Sequence, residues 1–173
     1  TGWSLGARFY PVLYLLTRMG AARDWGTGLP LKANLLGKMS RLEVHHIFPK
    51  AQLYKHKHKR PEVNALANFC FLTKDTNLDI TDRLPEEYFV EVEKAHPGAL
   101  ASQWIPTDPE LWKIARFRDF LEARKTLLAK ELNSRMEELL HGDTVWLGTT
   151  AAPAAPLAAA GSGIASDAEE KAL

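Results

Sequence analysis

The chain has 173 residues, 46% of them hydrophobic and 25% charged, which is enough for one domain around one apolar core. The single cysteine, Cys70, excludes an internal disulfide and a cysteine-rich zinc knuckle, and it fits a reducing, intracellular compartment. No apolar run approaches the ~20 residues of a membrane span, and no secretory leader is recognisable, so no membrane partner is expected.

The formal net charge of +1 hides an asymmetry. Residues 1–74 carry 12 Lys/Arg against 3 Asp/Glu, whereas residues 75–173 carry 10 against 18. A basic half suggests a polyanion-binding face; attraction between the two halves would account for the split equally well. The chain opens on Thr1 rather than Met and is expected to be a piece of a longer protein.

In chain order, residues 7–20 read as an apolar helix, with Pro11 tolerable only in its first turn. Gly26, Gly28 and Pro30 punctuate the connection to a shorter helix, Leu31 to Met39. These make an N-terminal helical part, 1–40. Leu42 to Phe48 reads as a strand, followed by a polar loop from Lys50 to Glu62 and a second short strand, Phe69 to Thr73. Cys70, alternating with Phe69 and Phe71, is expected to be buried. A turn or short helix leads from Asn77 to Pro85, which starts a helix with Glu86 and Glu87 in its first turn. Residues 41–95 thus form a second part. Asp108-Pro109-Glu110 is a strong helix start, and apolar residues from Leu111 to Leu139 continue it at helical spacing through a C-terminal part, 96–142. Residues 143–173 are rich in Ala, Pro, Gly and Ser and are expected to be a disordered tail. Trp104, Trp112 and Trp146 are expected to pack rather than to stack on bases.

The stretch from Val44 to Asn77 carries the chemistry: His45-His46-Ile47-Phe48-Pro49, then Asn68, then Lys74-Asp75-Thr76-Asn77. Phosphodiester hydrolysis needs a base for water, a divalent cation for the developing charge, and a group that orients the base. Imidazole suits the first task because its pKa lies near neutrality. Adjacent histidines on a strand point to opposite faces unless the strand bends. A twisted strand end would let one ligate metal while the other reaches substrate. Two unrelated histidines on a half-buried strand would give the same pair.

This stretch resembles the HNH, or ββα-metal, nucleases, in which a strand ends in Asp/His-His-Ile/Val-x-Pro, a second strand follows an Asn, and a helix supplies a final Asn or His. The resemblance implies that His45 is a metal ligand, His46 the general base, Asn68 the residue that positions the catalytic histidine and its loop, and Asn77 the last metal ligand. The step from Asn68 to Asn77 is similar to that in the HNH domain of RNA-guided CRISPR nucleases. A wider likeness, taking in Trp104-Ile105-Pro106, Leu111-Trp112 and Phe120-Leu121-Glu122-Ala123-Arg124, resembles the C-terminal nuclease domain of GmrSD-type restriction proteins, which act in bacterial anti-phage defence. In those an NTPase-like domain precedes the nuclease; no phosphate-binding Gly-rich loop occurs in this chain.

The likeness leaves alternatives. The loop between Pro49 and Asn68 is longer than in compact HNH domains, Asn64 lies close to the middle Asn, and Asp75 could face the metal in place of Asn77. Mg²⁺ is the expected cofactor, and a His/Asn donor set would also take Mn²⁺, Ni²⁺ or Zn²⁺. Lys55, Lys57, Lys59 and Arg60 could follow DNA phosphates, or simply be solvated. A metal site on His56 and His58 is a lesser alternative.

The expectation is therefore an α+β domain with a small ββα-metal core among flanking helices. It is expected to be a metal-dependent DNA endonuclease of a bacterial, cytoplasmic defence system. DNA is the expected partner, with an NTPase-like domain or subunit and a homodimer as further ones. The rivals are a non-catalytic DNA-binding or partner-docking domain with a relic HNH site, and a colicin-type HNH toxin.

Overall fold

The computed structural model describes residues 6–32, 37 and 41–141. The fold is α+β: helices surround one two-stranded antiparallel sheet. Helix α1 spans Gly6–Met19. Strand β1, Leu42–His46, pairs with β2, Phe69–Thr73, in the register Leu42↔Thr73, Val44↔Phe71 and His46↔Phe69. Side chains alternate across a strand, so the hairpin has two different faces. On one, Cys70 and Leu72 join the main core with Trp25, Ile47, Tyr88 and Phe89. On the other, Phe69 and Phe71 meet Leu13 of α1, with Tyr10 edge-on to Phe69 at 4.8 Å and Tyr14 edge-on to Phe71 at 5.2 Å. Every residue of β2 is buried. Burial of each such aromatic stabilises the hairpin by roughly 1.5–3 kcal/mol, which a lone two-stranded sheet needs.

The segment between the strands is more ordered than a polar loop. Helix α2, Lys50–Lys55, follows Pro49, and helix α3, Arg60–Val63, has Pro61 in its first turn. Leu53 and Val63 are fully buried, and these two apolar anchors draw the otherwise polar segment onto the core. The backbone N–H of Lys59 donates to Glu62 Oε2 at 2.9 Å and so fixes the start of α3.

Helix α4, Lys74–Ile80, begins directly after β2. Its start is fixed by Asp24, a fully buried carboxylate. Asp24 accepts from the backbone N–H of Thr73 at 2.9 Å and from the Thr76 hydroxyl at 2.6 Å. A carboxylate at this helix end also meets the positive end of the helix dipole. Gly26 lies against the same turn: a Cβ there would stand 2.5 Å from Thr76 Oγ1, so no larger residue fits without displacement.

Helix α5, Pro85–Ala95, starts where the sequence places it; α6, Ala99–Ser102, follows. Asp108 caps as expected, accepting from the Glu110 N–H at 3.0 Å. It starts only a 3₁₀ turn, Pro109–Trp112. The expected continuous helix is broken at Lys113, whose backbone is extended, because buried Trp112 turns inward and donates to Pro106 O at 2.8 Å. A second 3₁₀ turn leads into α7, Phe117–Leu140. From α7, the fully buried Arg124 donates to Ala67 O at 2.9 Å, Phe69 O at 2.6 Å and Gln103 O at 3.2 Å.

Pro11 lies inside α1 rather than in its first turn. It forfeits one helical hydrogen bond there, and the Tyr10, Leu13 and Tyr14 contacts on β2 hold the helix in place. Most of the expected Leu31 to Met39 helix, Trp146 and the tail from residue 143 fall outside the described residues. Among the described residues, no helix is long and apolar enough to cross a membrane.

Candidate active site

The strand alternation assigns the two histidines to opposite faces. His45 shares its face with Glu43 and with the buried Cys70 and Leu72 side. Its ring lies edge-on to Trp25 and Tyr88, with centroids 6.0 and 6.3 Å away, and it is only 4% exposed. Helix α4 brings Asn77 to this ring: His45 Nδ1 and Asn77 Oδ1 are 2.8 Å apart. The other end of the Asn77 amide, Nδ2, donates to Glu43 Oε2 at 2.9 Å. His45 Nε2 is buried without a hydrogen-bond partner. Burial disfavours the charged ring and lowers the His45 pKa to about 4, against the opposing pull of the Asn77 hydrogen bond.

His46 is half-buried on the other face, tilted over Phe69 with ring centroids 4.3 Å apart. Its Nε2 makes a long 3.5 Å contact with Asn64 Oδ1. Its pKa is lowered to about 4, first by burial, then by the Lys50 ammonium, and less by His45; Asn64 opposes. The ring is therefore neutral at physiological pH. With Asn64 Oδ1 accepting from Nε2, the Nδ1 lone pair would be the free one.

Asn68 is fully buried and touches neither histidine ring. Its Oδ1 accepts from the Phe48 N–H at 2.9 Å, and its Nδ2 donates to Phe48 O at 3.2 Å and to Val63 O at 3.0 Å. Its backbone carbonyl accepts from the Ile47 N–H at 2.9 Å. These bonds end β1 at His46 and bend the chain that follows. The neighbouring asparagine, Asn64, is the one that faces His46.

Of the residues singled out in the sequence, His45 and Asn77 come together, and Asn68 supports the turn beyond His46. Asp75 is exposed on the first turn of α4, where Asn77 and not Asp75 meets His45. Lys55, Lys57, Lys59 and Arg60 are exposed. His58 turns inward from the same run, 3.7 Å from Glu62 and edge-on to Phe117, away from the role of a metal partner for the exposed His56. Sequence reasoning misses Glu43 and Lys50, and weighs Asn64 only as an alternative to Asn68. Glu43 had a signal: it precedes His45 by two positions in a strand and so shares its face. The spacing that singles out Asn64 gives no sign that it faces His46, because that approach depends on α3, which it follows.

The donor set can be tested against a divalent cation. Two ligand atoms at ~2.1 Å from an ion and at right angles lie roughly 3.0 Å apart. The 2.8 Å between His45 Nδ1 and Asn77 Oδ1 is a hydrogen-bond length close to that edge, so the two donors face each other here and would have to exchange the shared proton for a cation. Both donors are neutral, and the Glu43 carboxylate touches Asn77. Among the described residues no group of three or more His, Cys, Asp or Glu is placed to hold a metal, so this edge offers two protein donors. Searches of family models, of curated proteins and of solved structures find no match to this chain.

Proposed function

We propose that this chain is a divalent-metal-dependent endonuclease of the HNH type that hydrolyses DNA phosphodiester bonds. The observation that carries the reading is the meeting of His45 Nδ1 and Asn77 Oδ1 at the corner between β1 and α4, with His46, kept neutral, next along the strand on its opposite face. His45 and Asn77 would hold the cation, Mg²⁺ or Mn²⁺, with its other positions left to water and phosphate oxygens. When bound, such an ion stabilises charge on the phosphate and on the departing oxygen.

The chain's own residues supply the rest. His46 Nδ1 takes the proton of the attacking water; Asn64 holds the opposite edge of the ring. Asn68 fixes the turn that follows His46, the last residue of β1. Lys50, exposed at the start of α2, and the exposed Lys55, Lys57, Lys59 and Arg60 would offer phosphate a basic surface. One such site cuts one strand, so a duplex break requires a second encounter or a second copy. Membership of a bacterial defence protein, beside an NTPase-like domain, belongs to the same proposal and rests on the sequence resemblance.

The second reading, a DNA-binding or partner-docking domain with a relic site, draws on the burial of His45 and on the opposed faces of the two imidazoles. Incubation of supercoiled plasmid with the protein separates the two. Nicking in Mg²⁺ or Mn²⁺ that EDTA abolishes is the expected result. DNA retention on a gel without nicking in any of the metals Mg²⁺, Mn²⁺, Ni²⁺ or Zn²⁺ would favour the second reading.

A further inference from the structure

We infer that Glu43 is a positioning residue: it locks the Asn77 amide so that Oδ1, and not Nδ2, stands beside His45 Nδ1. The inference rests on the metal-site reading above, but its first half holds without it. The two ends of an asparagine amide are nearly the same shape, and packing alone does not choose between them. The partners choose. A carboxylate is acceptor-only, so the end that meets Glu43 Oε2 at 2.9 Å must be the NH₂. The carbonyl end is thereby turned to His45, 2.8 Å away. An amide oxygen only accepts, so in the metal-free protein His45 carries its proton on Nδ1. The other nitrogen, Nε2, is buried without a partner, so a proton there would go unsatisfied and the same tautomer is favoured.

This relay decides what a cation would find. With Oδ1 facing His45, the two atoms form a donor edge once the ring proton moves to Nε2. With the amide reversed, Nδ2 would donate to Nδ1, occupy its lone pair and turn the oxygen away. Glu43 thus acts through Asn77. It also places one negative charge next to two neutral donors, which lowers the cost of bringing in a dication. The geometry has a simple origin: Glu43 and His45 share a strand face, and the first turns of α4 carry Asn77 across that face.

The test replaces Glu43 by Met, which matches its length but accepts no hydrogen bond, and by Gln, which restores an acceptor. Imidazole ¹⁵N shifts of His45 in EDTA report the tautomer. Wild type and Glu43→Gln are expected to hold the proton on Nδ1; Glu43→Met is expected to populate the Nε2–H form. A purely packing role would leave the tautomer unmoved in Glu43→Met, and that result overturns the inference. Titration of the free protein with Mn²⁺, without DNA, reads the second half: Glu43→Met is expected to bind ~10–100-fold more weakly, the usual effect of removing the partner of a metal ligand. An unchanged Mn²⁺ affinity in Glu43→Met overturns the metal-directed role. A tautomer change in a protein whose wild type binds no Mn²⁺ would leave the amide lock standing and remove the nuclease reading instead.

Discussion

Asn77 Oδ1 lies 2.8 Å from His45 Nδ1 although 32 residues separate them in the chain. Two independent devices bring them together: the antiparallel register that aligns His45 with Cys70, and the Asp24 carboxylate that starts α4 immediately after Thr73. Removing Asn77 should therefore affect metal binding more than folding. Asn77→Ala is expected to raise the Mn²⁺ concentration for half-maximal nicking at least ~10-fold, whereas the exposed Asp75→Ala should leave it within about twofold. The opposite pattern would transfer the ligand role to Asp75.

His46→Ala should fold and bind DNA but nick it ~10²–10⁴-fold more slowly, the usual contribution of a positioned base. Asn64→Ala should slow nicking less than His46→Ala does, because the 3.5 Å contact orients the ring and does not touch the proton being transferred. Single-turnover rates at saturating DNA measure both. More than about a tenth of wild-type rate in His46→Ala would remove it from the base role.

Asn68→Ala should act on stability. It deprives the Phe48 N–H and two buried carbonyls of their partners, and each unsatisfied buried group costs about 1–3 kcal/mol. A loss of roughly 3 kcal/mol or more in urea unfolding is expected. A variant that unfolds like wild type would show that Asn68 does not hold the turn.

The lowered pKa of His45 has a signed consequence for stability. The unfolded chain takes up this proton near 6.5, the folded protein only near about 4. Between those values the unfolded state binds more protons, so stability is full above about pH 6.5 and is lost as pH falls toward 4. The loss at the acid end is on the order of 3 kcal/mol. Thermal unfolding in EDTA across that range should show the decline, to which His46, lowered alike, also contributes; His45→Asn, which does not titrate, should therefore reduce it by about half. An equal decline in His45→Asn would assign the acid sensitivity to other groups.

The exposed lysines of the second segment have a readout in salt. Replacing Lys55, Lys57, Lys59 and Arg60 by Gln should weaken duplex binding for all sequences alike and flatten log affinity against log salt by ~2 or more, at ~0.9 per phosphate contact. The cleavage rate at saturating DNA should hardly change. An unchanged slope would mean that this segment is merely solvated.

What could be read in the sequence was governed by range. The strand Phe69–Thr73 and the Pro85 helix start depend on local residue types and appear where expected. The α+β class followed from the same signals. Helices α2 and α3 were missed because their polar residues outnumber two buried anchors, Leu53 and Val63, whose burial depends on the distant core. The break at Lys113 was missed for a related reason: Trp112 fits helical spacing, and only its hydrogen bond to Pro106 turns the chain. At the site, the approach of Asn77 to His45 agrees with the motif spacing. The partnership of Asn64 with His46 depends on a fold-level approach that no spacing encodes.

Arg124 bears on inheritance. Its guanidinium, on a helix more than fifty positions downstream, grips the carbonyls on both sides of Asn68, those of Ala67 and Phe69, and ties them to Gln103. The two strands and the helix that carry the histidines and Asn77 are thus finished by a residue outside the motif. A cassette of residues 42–77 spliced into another protein would arrive with these buried carbonyls ungripped, each a cost of ~1–3 kcal/mol. The unit that recombination can shuffle intact is therefore long: it must reach past Arg124, carrying α7 along with the histidines.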